Sequence, residues 1–249
     1  MFDFLFKTAK VEPDLSFLAV DMHSHLLPGL DDGLKEVEKS VEFIKELQKL
    51  GYQKLICTPH ILSDLYANNR ETILPKLALV KQALADAGVN IKIDAAAEYM
   101  IDPEFADIVG KAKKEDFLTF PGDYILVEMS YLAPTPVFEQ TIFNLTMLGL
   151  RPILAHPERY SYYHSNFERY ERFKDLGCKL QVNLLSLSGG YGPGVKKTAE
   201  KLFKNEMVDF LGTDMHHERH LNMLKDLATK KEFYALVKDA ELKNKELLS

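Results

Sequence analysis

Asp21-Met22-His23-Ser24-His25, continuing through Leu26-Leu27-Pro28-Gly29-Leu30 to Asp31-Asp32-Gly33, follows directly on a short apolar run, Phe17-Leu18-Ala19-Val20. Such a run reads as a buried strand. Residues two apart on a strand point to the same side, so His23 and His25 project together. Two imidazoles converging at a strand end, with carboxylates a few residues on, suit a divalent cation such as Zn, Mn or Fe. A bare His-x-His is equally well one packed and one solvated histidine. The Pro-Gly turn and the Asp-Asp-Gly behind it favour the metal.

Outward from this motif the chain alternates between two periodicities. Residues 35–50 carry Val37, Val41, Ile44, Leu47 and Leu50 at helical spacing and stop at Gly51. Residues 52–57 read as a strand ending in Thr58-Pro59-His60, and 70–87 as a helix stopped by Gly88. Residues 89–97 form a third strand ending at Glu98, followed by a short helix over 102–113. Strands over 124–127, 152–155, 178–183 and 208–211 follow, separated by helices over 136–148, 166–176 and 195–204, with a charged helical tail. Seven strands with helical crossovers call for parallel pairing. The expected architecture is α/β, a distorted (β/α)7 barrel with its site at the carboxyl ends of the strands, rather than an open doubly wound sheet. The whole chain, 1–249, is expected to be a single domain, with 1–16 as an N-terminal extension.

The placement of polar residues is what favours closure. His23, His25, His60, Glu98, Glu128, His156, Asp214 and His216 each follow an apolar strand run, so six of the seven strands finish in a metal-capable side chain. A closed barrel gathers such ends around one mouth, where an open sheet spreads them. Singly, each has a bland explanation: Glu128 or Asp214 as a helix cap, His60 as a packed loop histidine. In phase with the strands, the set points to two or three divalent ions, because one catalytic zinc takes about three protein ligands. Mixed imidazole and carboxylate donors without thiolate suit Mn, Fe or Zn. Asp31 and Asp32 either hold a ligand in place or cap the helix beginning near Lys35. His164, His217 and His220 lie in polar stretches, where solvated or supporting roles fit better.

A site with several cations is suited to phosphoryl transfer: it clamps an oxygen, supplies hydroxide near neutral pH and stabilises the leaving oxygen. An anionic substrate also needs a fixed cation. Arg159, three residues past His156, has the planar fork for this. Arg219 is a second candidate for substrate binding, or else a surface arginine. The cluster Gly189-Gly190-Tyr191-Gly192-Pro193-Gly194 lacks the Lys-Ser/Thr of a phosphate loop and reads as a flexible rim.

Composition narrows the classes. With 31 Lys and Arg against 37 Asp and Glu, the net charge of −6 argues against general nucleic-acid binding and makes a DNA exonuclease a poor fit. No apolar run is long enough for a membrane span, and the greasy opening at 1–7 lacks the basic leader and cleavage site of a signal peptide. Cys57 and Cys178 lie in strand-like runs, so buried thiols in a reducing cytoplasm are expected. Six positions after each stands Ser63 or Leu184, so the Cys-x5-Arg pattern of cysteine phosphatases is absent.

Asp21-Met22-His23-Ser24-His25, with Thr58-Pro59-His60, Glu98, Glu128, His156-Pro157-Glu158-Arg159 and Asp214-Met215-His216, resembles the PHP (polymerase and histidinol phosphatase) superfamily of distorted (β/α)7 barrels with a trinuclear metal centre. The extended His23-to-Gly33 signature looks like that of the bacterial metal-dependent protein-tyrosine phosphatases of capsule and exopolysaccharide systems. The resemblance spans essentially the whole chain. It implies the eight residues above as ligands, Arg159 on the phosphoryl group, His156 in the catalytic machinery and Mn as the usual activator. It also implies phosphotyrosine on a membrane tyrosine autokinase as the substrate. The spacing from His216 to Arg219 departs from the pattern of the capsular members, and the N-terminal extension is longer than a minimal member needs. The rivals are a histidinol-phosphatase-like enzyme for small molecules and a catalytically silent metal-binding adaptor.

Overall fold

The computed structural model describes residues 11–249. The apolar opening at 1–7 therefore lies outside the described residues. Val20–Asp21 (β1) leads to Val37–Lys49 (α1), Lys54–Cys57 (β2), His60–Ile61 (β3), Arg70–Asp86 (α2), Lys92–Ala95 (β4) and Glu98–Met100 (β5). Pro103–Val109 (α3), Tyr124–Glu128 (β6), Phe138–Met147 (α4), Arg151–Ala155 (β7) and Glu168–Asp175 (α5) follow. The chain then runs through Lys179–Asn183 (β8), Leu184–Ser188 (α6), Pro193–Lys204 (α7), Phe210–Gly212 (β9), Glu218–Leu227 (α8) and Lys231–Val237 (α9). Among the described residues no helix is long and apolar enough to cross a membrane.

Local chemistry sets the element ends. The Asn69 side chain accepts from the Thr72 N–H while the Thr72 hydroxyl accepts from the Asn69 N–H, a capping box that starts α2. Asp102 caps α3 through the Phe105 N–H. Gly51 and Gly88, read from the sequence as helix stops, adopt φ of 100° and 64° just past the last helical turns of α1 and α2. The first strand begins later than its apolar run suggests. Leu18 and Ala19 donate back to Leu15 and Ser16 in a turn, and Ala19 sits at φ 61°, so extended pairing starts only at Val20.

All strand pairing is parallel, in the orders β1-β2-β4 and β3-β5-β6-β7-β8-β9. The segments outnumber the seven expected strands because pairing resumes, after a short interruption, beyond two of the expected runs. Thr58-Pro59 parts β2 from β3, where Pro59 has no N–H to give the ladder, and Ala96-Ala97 parts β4 from β5. Hydrogen bonds from Ala96 N to Cys57 O (2.9 Å) and from Glu98 N to Pro59 O (3.1 Å) carry the pairing across both breaks. Past β9, Asp214 N donates to His23 O (2.8 Å) and His25 N to Met215 O (2.9 Å), so the last run is bonded to the first. At the other end of the same seam, buried Asn244 donates to Val20 O and Leu211 O and accepts from Leu211 N, at 2.9, 2.7 and 3.0 Å.

Alternate strand residues divide between two apolar clusters. Leu55, Cys57, Ile125, Val127, Leu154, Leu180, Val182 and Leu211 pack with residues of the helices. Val20, Met22, Ile56, Leu126, Ile153, Ala155 and Phe210 form a second cluster with Leu247 from the final 3-10 turn. Period-two alternation makes this division possible, one set facing the helices and the other facing its own kind.

Candidate metal centre

The strand ends bring the eight expected side chains into one cluster. Glu98, fully buried at the start of β5, is its centre. Its Oε2 lies 3.1 Å from His23 Nε2, 3.4 Å from His25 Nε2 and 3.1 Å from His60 Nδ1, and its Oε1 lies 3.0 Å from His156 Nε2. Asp214 Oδ1 is 3.4 Å from each of His23 Nε2, His25 Nε2 and His216 Nδ1. Glu128 Oε1 approaches His60 Nδ1 at 2.9 Å. The donors fall into four overlapping groups: His25/Asp32/His60/His216, His23/His156/Asp214, His23/His25/Glu98 and His60/Glu98/Glu128.

The cluster fits cations better than it fits itself. His60 Nδ1 and Glu128 Oε2 are buried yet make no hydrogen bond, although oppositely charged atoms are within reach. Buried polar atoms seldom go unbonded. The Nε2 atoms of His23 and His25 lie only 3.3 Å apart. These atoms converge on the space between them, as ligands do. Burial alone would push the Glu98 and Asp214 carboxyls up. Facing imidazoles, His23 and His60 for Glu98 and His23 and His216 for Asp214, reverse that and hold both well below the usual carboxylate range. Burial likewise opposes charge on His60, but Glu98 and Glu128 outweigh it and raise its pKa to about 9. Protons on imidazole thus balance the carboxylates, a task that divalent ions would take over on displacing them.

Neighbouring side chains fix the donors. Asp31 Oδ2 accepts from His25 Nδ1 (2.7 Å) and from His60 N (3.0 Å), while Oδ1 accepts from Gly33 N (2.9 Å). With Nδ1 occupied, His25 turns its Nε2 lone pair inward. Gly33 allows this closeness, since a Cβ there would stand 2.2 Å from His25 O. Asp31 therefore holds a donor and caps no helix; α1 begins at Val37, and its N-cap Glu36 makes no side-chain cap. Asp32 does neither: its Oδ1 joins the cluster, 3.4 Å from His216 Nε2 and 3.6 Å from His60 Nε2.

His23 is steered by a relay that the sequence reading missed. Its Nδ1 donates to Gln181 Oε1 (2.8 Å), Gln181 Nε2 to Asn183 Oδ1 (2.9 Å), and Asn183 Nδ2 to Asp214 Oδ2 (2.6 Å). Two amides on one face of β8, the strand without a His or carboxylate at its end, were the available signal. His156 and Asp214 both adopt left-handed backbone, φ 35° and 51°, unusual for residues other than glycine and held here by the surrounding bonds.

A cavity of about 400 Å³ opens onto this cluster. Arg159 lines it, with Nη1 donating to Asp214 Oδ2 at 2.9 Å. Its guanidinium lies over the rings of Tyr131 and Tyr191, 4.6 and 4.3 Å from their centroids. Tyr131 Oη is also 3.1 Å from His156 Nε2. Neither tyrosine was singled out from the sequence as a site residue, although Tyr191 stands in the glycine cluster read as a rim. Arg219 is not brought to the site. It lies in a separate hollow with Ser188, Glu218 and Asn222. His217, the N-cap of α8, and His220, three residues on in its first turn, line the cavity, and a helix start that presents those two turns Arg219 aside. His220 Nδ1 is 3.2 Å from Asp214 O, and His164 Nε2 is 2.7 Å from Glu158 O, both supporting contacts. Cys57 and Cys178 are buried and unpaired, and burial pushes both thiols up to about 12.

The family model for capsular polysaccharide synthesis proteins CpsB/CapC matches residues 19–233. The chain belongs to the CpsB/CapC family. This member is 26% identical over 231 residues to the tyrosine-protein phosphatase YwqE of Bacillus subtilis, covering 90% of each chain. It is 26% identical over 204 residues to the tyrosine-protein phosphatase CpsB of Streptococcus pneumoniae, covering 80% of this chain and 83% of that one. Among solved structures it is similar to a chain from the crystal structures of those two metal-dependent tyrosine phosphatases. The TM-score is 0.78 at 24% identity, covering 90% of this chain and 89% of the other.

Proposed function

We propose that this CpsB/CapC member is a metal-dependent protein-tyrosine phosphatase that dephosphorylates a membrane tyrosine autokinase of capsule or exopolysaccharide synthesis, acting from the cytoplasm. The observation carrying this reading is the set of four overlapping donor groups, of which Asp32, His60, Glu128, His156, Asp214 and His216 line one cavity with a fixed arginine. The relatives' activity and the family's role in capsule synthesis supply the substrate class. We infer a single domain whose seven strand runs close as a distorted (β/α)7 barrel. The bonds joining the segments after β1 and β9 support closure.

His23, His25, His60, Glu98, Glu128, His156, Asp214 and His216 would hold two or three divalent ions, Mn first and Fe or Zn as alternatives, with Asp32 a further donor. Bound there, such ions polarise a phosphoryl oxygen and provide a hydrolytic nucleophile near neutral pH. Arg159 binds the phosphoryl group through the part of its fork that Asp214 leaves free, in an orientation that two aromatic faces fix in advance. Tyr131 Oη, 3.1 Å from His156 Nε2 and on the cavity lining, would donate towards the same oxygens. A phenolate leaves readily, so no strongly acidic side chain is demanded of the cavity.

The test is hydrolysis of a phosphotyrosyl peptide beside histidinol phosphate, after EDTA and again after adding Mn. Expected is metal-restored turnover favouring the peptide, abolished in His23→Ala and His156→Ala and retained when Cys57 and Cys178 are both changed to Ala. A preference for histidinol phosphate would replace the substrate assignment. Absence of turnover with every metal would leave only the silent adaptor.

A further inference from the structure

Two kinds of side chain line the cavity. Arg159 and the donors His60, Glu128, His156 and Asp214 are one kind, while Leu62, Leu65, Tyr66 and Met100 are the other. Most of the apolar kind comes from the tight turn that follows β3. Leu62 N donates to Tyr66 O (3.0 Å), Tyr66 N to Leu62 O (2.8 Å) and Leu65 N to Leu62 O (3.2 Å). Asn68 Nδ2 latches the turn from below through His60 O (2.9 Å) and Leu30 O (2.8 Å). Tyr66 is stacked on His60, with centroids 5.7 Å apart and planes at 13°. On this braced turn Leu65 is 66% exposed, an apolar side chain fixed at the mouth with little of the protein covering it. Folding gives no reason for that placement. A substrate whose phosphoryl group sits against Arg159 would give one, because the rest of the molecule must leave through the mouth past Leu65.

We propose that Leu62, Leu65 and Tyr66 form a shelf for the aromatic ring of the phosphorylated residue, making this site selective for aryl over polar alkyl phosphomonoesters. The proposal deepens the phosphatase reading and rests on it. The shelf side chains carry no charge, so a flat apolar ring is drawn out of water there, whereas a hydroxylated or ammonium-bearing chain would lose its hydration for nothing in return. Discrimination of this kind comes from the part of the substrate that does not react, and it shows in KM more than in kcat.

The test uses Leu65→Ala, which folding tolerates because the side chain is largely exposed, and Tyr66→Leu as a second variant. Steady-state kinetics on Mn-loaded protein would compare para-nitrophenyl phosphate with glycerol phosphate. Calorimetry would compare benzylphosphonate with methylphosphonate, neither of which can be hydrolysed. For Leu65→Ala the expected result is a rise in KM of about five- to tenfold for the aryl ester, because less apolar surface then covers the ring, with the alkyl ester within about twofold. The aryl preference in phosphonate binding should shrink in step. Parallel losses on both esters, or equal binding of both phosphonates by the unaltered protein, would overturn the shelf. Preferential benzylphosphonate binding that Leu65→Ala weakens, without turnover of any phosphomonoester, would keep the shelf and overturn the phosphatase reading instead.

Discussion

Changing Asp31 to Asn tests how the donors are held, because the carboxylate accepts on both oxygens. His25 Nδ1 and His60 N reach Oδ2, and Gly33 N reaches Oδ1. An amide offers one acceptor oxygen. Whichever way the new side chain turned, its NH2 would face an N–H, either that of Gly33 or those of His25 and His60. Leaving one buried donor unmatched costs about 1–3 kcal/mol. If about 2 kcal/mol of that reaches the His25 imidazole, metal affinity falls about 30-fold, within the range for changing a residue that orients a ligand. The assay is Mn competition against a fluorescent chelator, with circular dichroism to verify folding. A folded Asp31→Asn protein binding Mn within about threefold of the unaltered one would refute the reasoning.

Arg159→Lys should lower kcat/KM for a phosphotyrosyl peptide by about 100-fold in steady-state assays, since an ammonium cannot repeat the planar fork or its contacts with the Tyr131 and Tyr191 rings. EDTA-treated protein should lose stability in alkali. His60 has its pKa raised to about 9 from an ordinary 6.5, against the effect of burial, by Glu98 and Glu128. The folded state therefore binds the extra proton, and the contribution is whole below about pH 6.5 and fades as pH climbs through 9. Melting curves of EDTA-treated protein at both ends of that window should show the drop, and Mn-loaded protein should show much less of it. Asn244→Leu should strand three buried backbone groups on Val20 and Leu211. A loss of about 3 kcal/mol, or roughly 6–12 °C in Tm by calorimetry, is expected.

Much of this centre was legible in the residues because its donors obey the strand period. His23 and His25 sit two apart, and Glu98, Glu128 and His156 each end or follow an apolar run, so strand phase together with the expected closure gathered them in the reading. Roles decided by side-chain direction were less legible. Asp31 and Asp32 are adjacent and chemically alike, yet one props His25 from behind while the other enters the cluster. Arg219 failed because its side of α8 depends on where that helix starts, and a shift of one residue turns a side chain through about 100°. Tyr131 and Tyr191 were missed because aromatic rings in loops carry no period, and only the folded chain brings both to Arg159. The break at Thr58-Pro59 was visible as a proline, but its effect on the pairing of the third run was not.

Asn244 grips β1 at Val20 and β9 at Leu211, while His23 and Asp214 stand three residues further along the same two segments. At about 3.3 Å per residue, the clamp works roughly 10 Å beneath the cation cluster. On the proposed reading, ion occupancy at the open face would depend on an asparagine on the underside that lines no part of the cavity. A variant that loosens Asn244 from its socket would then weaken cation binding, and the fault would be traced, wrongly, to the ligands themselves.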